Sequence, residues 1–404
     1  MEGGAARASW LRALERPGAW FWLALALGAA LRAWLVLATE GTFDVALKAL
    51  HGHSVNGFGV LGTYARSEIF NHPPLMGRFF AGVESLAAAS GIPFRVWLRA
   101  PFAALDLGTA LLLPSLLRPS RWRFAAAACY WLYPLALLFS AYHGNTDTAV
   151  AFFCLLSLAG AAAGHSALAG AALGLGLWVK LPVLVAAPGL CLAFATWRER
   201  AIFATCALLV GAAGALPEIA QDPALLYQRI VAYPGTGVVT PRGVAVWGLA
   251  YALHLSGTPL ADAAKTWNTA LCFAPIVALA WLRRGRREPR SLGATLCASF
   301  ALLYGTTSFW AFQYLAWSLP FWFFLPARIA APVTLLLAAY VYGVYALYTG
   351  SPLLLGRWDF VHHAPWPPLL SWLRDTSVLA CFLVGWGSLA RAALRPRARA
   401  RAGA

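Results

Sequence analysis

Long apolar runs separated by short clusters of arginine recur along this 404-residue chain. A bilayer core requires about twenty apolar residues per helix, and roughly twelve stretches approach that length. Their approximate limits are 18–38, 99–117, 124–142, 147–164, 166–181, 183–197, 201–219, 264–282, 291–309, 311–327, 331–348 and 376–393. The pattern predicts an all-α polytopic membrane protein with about twelve transmembrane helices in a single integral membrane domain, 1–404.

Composition excludes an ordinary soluble enzyme. Sixty per cent of the residues are apolar and 11% are charged, against roughly 25% charged in a typical soluble domain. The net charge of +16 would suit a nucleic-acid-binding protein, but the basic residues lie in short clusters between apolar runs. The 7 cysteines lie singly in apolar segments, so neither a disulfide framework nor a thiolate metal site is expected. The lipid bilayer is therefore a predicted partner, and nucleic acid is not.

The distribution of charge predicts the orientation of the chain in the membrane. The N-terminal run from Ala19 to Thr39 is longer than the apolar region of a signal peptide and is interpreted as the first transmembrane helix. With the N-terminus in the cytoplasm, most basic residues lie on the cytoplasmic side and most acidic residues lie outside. An even helix count also places the basic tail 395–404 in the cytoplasm, either against anionic lipid or without a specific role. The predicted location is the inner membrane.

Three segments on the outer side are long enough to build a functional site: 40–98, 220–263 and 349–375. The first is a long outer loop whose second half carries an apolar stripe at spacings of three and four. The stripe consists of Leu75, Phe79, Phe80, Val83 and Leu86. This spacing, directly after a double proline, predicts a helix that lies in the membrane interface rather than one that crosses the bilayer.

Polar residues lie at the predicted outer ends of several helices, where ionisable groups are costly and often mark function. Asp44 follows the first helix, and HGNTD (143–147) joins the third helix to the fourth. Lys180 lies near the outer end of the fifth helix, and FQYLAW (312–317) opens the tenth. Because all four reach the same face in the predicted orientation, we expect them to line one cavity.

Several short motifs occur in a recognisable order between about residue 18 and residue 320. They are an acid after the first helix, HPPL (72–75), LRAPFAALDLGTALLL (98–113), YPLALLFSAYHGNTD (133–147), a lysine in the following hairpin and FQYLAWSLP (312–320). Together they resemble the GT-C superfamily of polytopic glycosyltransferases, above all the mannosyl- and glucosyltransferases that use polyprenyl-phosphate sugars. The chain departs from many relatives at His72, where an aromatic residue often precedes the prolines, and at HGNTD, where a glutamine-containing motif is common.

The resemblance implies a glycosyltransferase that works on the periplasmic face with a polyprenyl-phosphate-linked sugar, mannose or glucose, as its donor. It also implies that the acid in the first loop, Asp44, is the catalytic base. Inversion at the anomeric carbon is the expected outcome. The acceptor is left open among a lipid, a glycan and a protein.

Elementary chemistry leads to the same set of side chains. A sugar on a lipid phosphate already has a leaving group, so transfer needs a base, positive charge for the phosphate and exclusion of water. We expect a partly dry cavity to raise the basicity of Asp44. The expected cations for the phosphate are Lys180, Arg242 and Arg99. The other predicted substrate contacts are His72, His143, Asn145, Asp147, Gln313 and Tyr314. No nucleotide site is required, and no phosphate-binding glycine loop is evident.

Structural roles are possible for the same residues. Asp44 could be a solvated loop acid or a helix cap, and Glu40 is its nearest rival as the base. Asn145 and Asp147 would also suit the N-terminus of the fourth helix. The Lys180 side chain could instead extend to the interface.

Alternatives also remain for polar residues inside the predicted helices. Asp106 lies one to two turns beyond Arg99, so an intramembrane ion pair or polar contact would explain both. Gln313 and Tyr314 could belong to an interfacial belt. The pairs His51 with His53 and His362 with His363 would allow a divalent ion. No carboxylate stands at a firm ligand spacing from them, so no metal or other cofactor is predicted.

Two other classes of protein share some of these features. A transporter or flippase of a lipid-linked sugar would also need a polar cavity, but such folds often have two similar halves and broken helices at matching positions. No such symmetry is evident in this sequence. A purely structural membrane protein would not need acids, histidine and lysine gathered at one face.

Overall fold

The computed structural model describes residues 17–118, 122–233, 260–308, 311–359 and 366–394, and these residues form helices without any strand. The described residues up to 233 contain twelve α-helices. They are α1 (Ala19–Ala38), α2 (Phe43–Arg66), α3 (Pro74–Ser90), α4 (Phe94–Leu116), α5 (Trp122–Leu132), α6 (Pro134–Leu137), α7 (Asp147–Ala162), α8 (Ser166–Leu177), α9 (Ala187–Ala193), α10 (Trp197–Ala213), α11 (Leu216–Gln221) and α12 (Pro223–Leu226). Helices α6 and α12 each continue as one π-helical turn, Leu138–Tyr142 and Tyr227–Val231.

The described part of the second half contains five α-helices and a long 3₁₀ helix. They are α13 (Leu260–Thr266), α14 (Asn268–Leu282), α15 (Pro289–Thr306), the 3₁₀ helix Phe312–Phe324, α16 (Ala327–Thr349) and α17 (Pro368–Leu394). A short 3₁₀ turn, Leu181–Val185, also joins α8 to α9. The all-α prediction is confirmed.

Among the described residues, 4 helices are long and apolar enough to cross a membrane: α1, α4, α16 and α17. The pair Trp122–Leu132 and Pro134–Tyr142, bent by 50°, makes a fifth if the two count as one span. Every predicted apolar stretch overlaps a helical segment, but many of these segments are short or broken. Proline accounts for one of these breaks, because Pro134 starts a new helix immediately after α5. The count of twelve transmembrane helices therefore remains a prediction.

The segment predicted to be the first outer loop, 40–98, is largely helical. A helix begins at Pro74, the second residue of the double proline, where the sequence predicted one. Helices α2 and α3 pack closely at Gly52, since a Cβ atom there would lie 2.5 Å from the carbonyl oxygen of Phe80. Arg78 of α3 forms a two-pronged ion pair with Glu218 of α11, at 2.5 and 2.7 Å. These contacts fix the outer loop against the rest of the bundle.

A buried charge network ties together the helices beneath the loop. Asp106 of α4 accepts hydrogen bonds from Arg32 of α1 and from the hydroxyl of Tyr130 in α5. The Arg32 guanidinium also lies over the Trp131 ring, 3.4 Å from its centroid. The intramembrane ion pair of Asp106 is therefore made with Arg32, and not with Arg99. Two residues seven positions apart do not meet on a helix as well as residues three or four apart.

Candidate active site

The carboxylate of Asp44 accepts three side-chain hydrogen bonds at the start of α2. Its Oδ2 atom lies 3.2 Å from Nζ of Lys48, 3.3 Å from Nε2 of His143 and 2.8 Å from Nδ2 of Asn145. Thr42, and not Asp44, caps the helix, because the Thr42 hydroxyl accepts from the backbone N–H of Asp44. The side chain of Asp44 remains 27% exposed. Asp44 is thus neither a free loop acid nor the cap, and part of its side chain remains accessible to solvent.

The surroundings of Asp44 determine its charge. Burial raises the pKa of this carboxyl, but the positive charge of Lys48 and the hydrogen bond from His143 lower it more, so the pKa lies well below its usual value. The expectation that a dry cavity raises its basicity is therefore wrong in its net direction, because the neighbouring donors outweigh desolvation. Asp44 is ionised at neutral pH and can accept a proton.

The loop between α6 and α7 brings His143 and Asn145 to Asp44. Gly144 in this loop has φ +78°, and a Cβ atom there would lie 2.3 Å from Cγ2 of Val45 in α2. Only glycine permits both this backbone conformation and this close approach. The Thr42 hydroxyl also donates to the carbonyl of His143 at 2.7 Å. The HGNTD sequence is therefore folded directly against the first turn of α2.

His143 lies between Asp44 and a tyrosine distant in sequence. Its Nε2 faces Asp44, and its Nδ1 is hydrogen-bonded to the hydroxyl of Tyr345 in α16. If the hydroxyl of Tyr345 donates to Nδ1, a neutral His143 carries its proton on Nε2 and donates it to the carboxylate. This assignment satisfies all three groups and fixes the orientation of the ring.

A second charged group is centred on Asp147, two residues after Asn145. Asp147 accepts from Nζ of Lys180 at 2.7 Å and from Nε1 of Trp317 at 2.6 Å. The Lys180 ammonium also lies 5.3 Å from the centroid of the Tyr314 ring, and the Tyr314 and Trp317 rings are stacked at 4.4 Å. Lys180 is 16% exposed and forms an ion pair with Asp147. Asp147 is the first residue of α7 and does not cap it.

The two groups act on each other electrostatically. Burial lowers the pKa of Lys48, Asp44 opposes this effect and the charge of Lys180 adds to it, so the net pKa is lowered. The same two lysines, together with burial, hold the pKa of His72 well below its usual value. Two cations and two carboxylates therefore lie within one region, with a neutral His72 beside them.

The remaining predicted residues are placed differently. Arg99 is fully buried and donates to the carbonyl groups of Val36, Thr39 and Tyr142. It therefore anchors the end of α1 to the end of α6, beneath the site. Gln313 is partly exposed at the start of the long 3₁₀ helix. Arg242 lies outside the described residues.

The structure also shows participants that the sequence interpretation missed. Lys48 stands four residues after Asp44, a helical spacing that could have revealed the pair. Trp317 lies inside the FQYLAW motif, but nothing in that motif indicates its bond to Asp147. Tyr345 is separated from His143 by 202 residues, and no local pattern connects them.

The histidine pairs give no metal site in the described part of the chain. His53 is exposed and lies 3.0 Å from Glu84, whereas the buried His51 packs against Phe70. No group of three or more potential ligands occurs among the described residues. His362 and His363 lie outside them.

Fold and site together define a polytopic helical membrane protein with a carboxylate, a histidine and a lysine gathered at one end of the bundle. The sequence model of glycosyltransferase family 87 matches residues 70–306, more than half of the chain. The chain therefore belongs to glycosyltransferase family 87, a family of GT-C-type polytopic membrane glycosyltransferases, and the predicted resemblance is confirmed. The transporter alternative is not favoured. No curated protein and no solved structure matches the chain.

Proposed function

We propose that this membrane glycosyltransferase moves a hexose, mannose or glucose, from a polyprenyl-phosphate sugar to an acceptor hydroxyl, with Asp44 as the base. The observation that carries the proposal is the convergence of Lys48, His143 and Asn145 on one oxygen of a partly exposed carboxylate. Such a carboxylate is held in one orientation and ionised. Its other oxygen, Oδ1, is the atom to which the acceptor hydroxyl would donate.

The low basicity of Asp44 fits a particular order of events. As the acceptor oxygen bonds to the anomeric carbon, its proton becomes far more acidic than that of a free alcohol. A weakly basic carboxylate can then take the proton while the bond between the anomeric carbon and the phosphate oxygen breaks. The products are the glycoside, protonated Asp44 and a polyprenyl phosphate.

The second charged group suits the leaving phosphate. Lys180 is a compact cation with two aromatic rings beside it, and Lys48 adds positive charge nearby. An ammonium group in a partly buried site stabilises charge that develops on a departing phosphate. The partly exposed face of Tyr314 would offer an apolar surface to the sugar ring.

Inversion is the stereochemical outcome that these carboxylates support. Retention through a covalent intermediate requires a carboxylate free to attack the anomeric carbon. Asp147, the other acid of the site, is 1% exposed and already bonded to Lys180 and Trp317. With Asp44 in the role of base rather than nucleophile, a single displacement would invert the anomeric carbon.

The test is transfer by the purified protein from a panel of radiolabelled sugars on polyprenyl phosphate, with nucleotide sugars as the comparison. We expect turnover with a mannosyl or glucosyl lipid phosphate, release of polyprenyl phosphate and an inverted product. Use of a nucleotide sugar, with no turnover of any lipid-linked sugar, would contradict the proposed donor.

A further inference from the structure

A cavity of about 610 Å³ lies between the ends of several helices and is lined by arginines. They come from just beyond the end of α4, the α14–α15 turn, the first turns of α15 and α16, and the end of α17. The six are Arg118, Arg283, Arg286, Arg290, Arg328 and Arg391. Glu288 is the one carboxylate among the lining residues, which gives the cavity wall a large excess of positive charge.

The cavity lies at the opposite end of the bundle from Asp44. Helix α4 has 23 residues and is therefore about 34 Å long at 1.5 Å per residue. Its first turns contact the Asp44 end through Arg99, and Arg118 just beyond its last turn lines the cavity. Helix α16 also extends from the cavity to the Asp44 end of the bundle. Arg328 near its start lines the cavity, and Tyr345 near its end is hydrogen-bonded to His143. The cavity is thus separate from the proposed transfer site.

Two long helices direct their N-termini at this cavity. Helix α15 starts at Pro289, and its residues Arg290 and Ser291 line the wall. Helix α16 starts at Ala327, with Arg328 and Ile329 in the wall. The first N–H groups of a helix lack carbonyl partners within it, and the helix dipole adds positive potential there. The backbone therefore reinforces the preference for an anion that the guanidinium groups create.

The one lining acid does little to cancel this charge. Glu288 lies 3.9 Å from Arg118, and the two side chains are 60% and 69% exposed. An ion pair this long and this exposed contributes little.

Most of the rest of the wall is apolar, and this decides which anion fits. Phe324, Leu325, Ile329 and Val384 lie beside the arginines. A small soluble phosphate would leave these side chains without a contact, whereas a membrane lipid carries a phosphate and acyl chains together. Basic pockets between transmembrane helices are known to suit such headgroups. We propose that the cavity binds the phosphate headgroup of an anionic membrane lipid, with the acyl chains against the apolar wall.

Neighbouring arginines outside the cavity provide a matched control. Arg284 stacks on Trp281 with 4.4 Å to the ring centroid, and Arg287 lies 3.3 Å from Glu199. Neither lines the cavity, although both belong to the same turn as Arg286. If the arginines served only to orient the chain in the membrane, these two positions and the cavity positions would be equivalent.

The experiment is titration of the detergent-solubilised full-length protein with phosphatidylglycerol, read by native mass spectrometry, with phosphatidylcholine as the neutral comparison. We expect one phosphatidylglycerol to bind more tightly than phosphatidylcholine. The R286Q/R290Q variant should bind it on the order of tenfold more weakly or worse, while R284Q/R287Q should bind like wild type. Equal loss in both double variants would overturn the proposal, because net charge alone would then explain binding.

Two further measurements distinguish a lipid from a soluble phosphate compound and check that the variants fold. Millimolar inorganic phosphate should not displace the lipid, and displacement by it would overturn a lipid occupant in favour of a soluble phosphate compound. Thermal unfolding of each variant checks the fold. If R286Q/R290Q does not fold, the single variant R286Q carries the comparison, since Arg286 is exposed. R286Q binding that equals R284Q binding would then refute the site.

Discussion

Replacing Asp44 with asparagine should abolish most of the transfer without unfolding the protein. Asparagine keeps the shape of the side chain and can still accept hydrogen bonds through its carbonyl oxygen, but it has no useful proton affinity. Loss of a general base costs about 10²- to 10⁴-fold in rate, which is roughly 3–5 kcal/mol of activation free energy. Because Asp44 is bonded by Lys48, His143 and Asn145 and is partly open to substrate, we expect the upper half of that range.

The D44N substitution also removes the carboxylate that raises the pKa of Lys48, and this effect must be controlled. Lys48 is 3% exposed, and Asp44 is the strongest influence that raises its pKa. Without that carboxylate the pKa of Lys48 should fall further, which favours its neutral amine form, so Lys48 could act as a substitute base. The D44N/K48M double variant removes this route. Activity of D44N that rises with pH and disappears in the double variant would be assigned to Lys48.

Glu40 provides the matched control because it is the rival acid in the same connection. Its side chain is 71% exposed and lies 3.6 Å from Arg95, which leaves it far from an enclosed site. E40Q should therefore keep most of the activity. The assay is single-turnover release of polyprenyl phosphate from a radiolabelled donor, with thermal unfolding as the check on folding. If D44N turned over like wild type and E40Q were inactive, the base would be Glu40; if both were active, the proposed mechanism would be wrong.

Three other substitutions test the parts around the base. The K180M/D147N variant removes both charges of a buried pair, so it leaves no uncompensated charge and should fold. Its KM for the lipid-phosphate donor should rise about tenfold or more. K48M should move the acidic limb of the pH–rate profile to higher pH, because Asp44 acts when ionised and Lys48 is the strongest influence that lowers its pKa; an unchanged limb would contradict this coupling. G144A should lose activity through strain and contact with Val45, whereas G91A, with φ +70° but open space around it, should not.

The sequence was sufficient to predict which polar residues gather, for a physical reason. In so apolar a chain an ionisable side chain is costly unless it is paired or functional, so acids and lysines at helix ends are few and informative. The motif order then pointed to Asp44, HGNTD and Lys180, which the structure places in two adjacent groups. The helical stripe after the double proline predicted α3 in the same way.

The partners of these residues could not be predicted, because they are set by packing between distant segments. Asp106 pairs with Arg32, 74 residues away, and not with the arginine of its own helix. The bond of His143 to Tyr345 depends on how α16 packs against the end of α6. The net pKa of Asp44 likewise depends on burial and on two neighbours, Lys48 and His143, that only the folded chain brings together. Where proline interrupts an apolar run, as at Pro134, apolar length alone did not reveal the break in the helix.

The separation of the two ends of the bundle bears on the orientation of the active site. Helices α4 and α16, each of 23 residues, join the candidate active site to the arginine-lined cavity. A helix of that size is about 34 Å long, which is slightly more than the thickness of a bilayer core, about 30 Å. The two ends should therefore face opposite sides of the membrane. Since arginine favours the cytoplasmic side, we propose that the cavity faces the cytoplasm and Asp44 the periplasm.

Labelling of single introduced cysteines tests this orientation in intact cells. Glu68 and Arg284 are both exposed and lie near opposite ends of the bundle. A membrane-impermeant maleimide should label E68C from outside, whereas R284C should be labelled only after the cells are opened. The parent protein measures the background from Cys129, the one native cysteine that is exposed among the described residues. Labelling of R284C but not E68C in intact cells would place Asp44 in the cytoplasm, where a base for transfer from a periplasmic lipid-linked donor could not act.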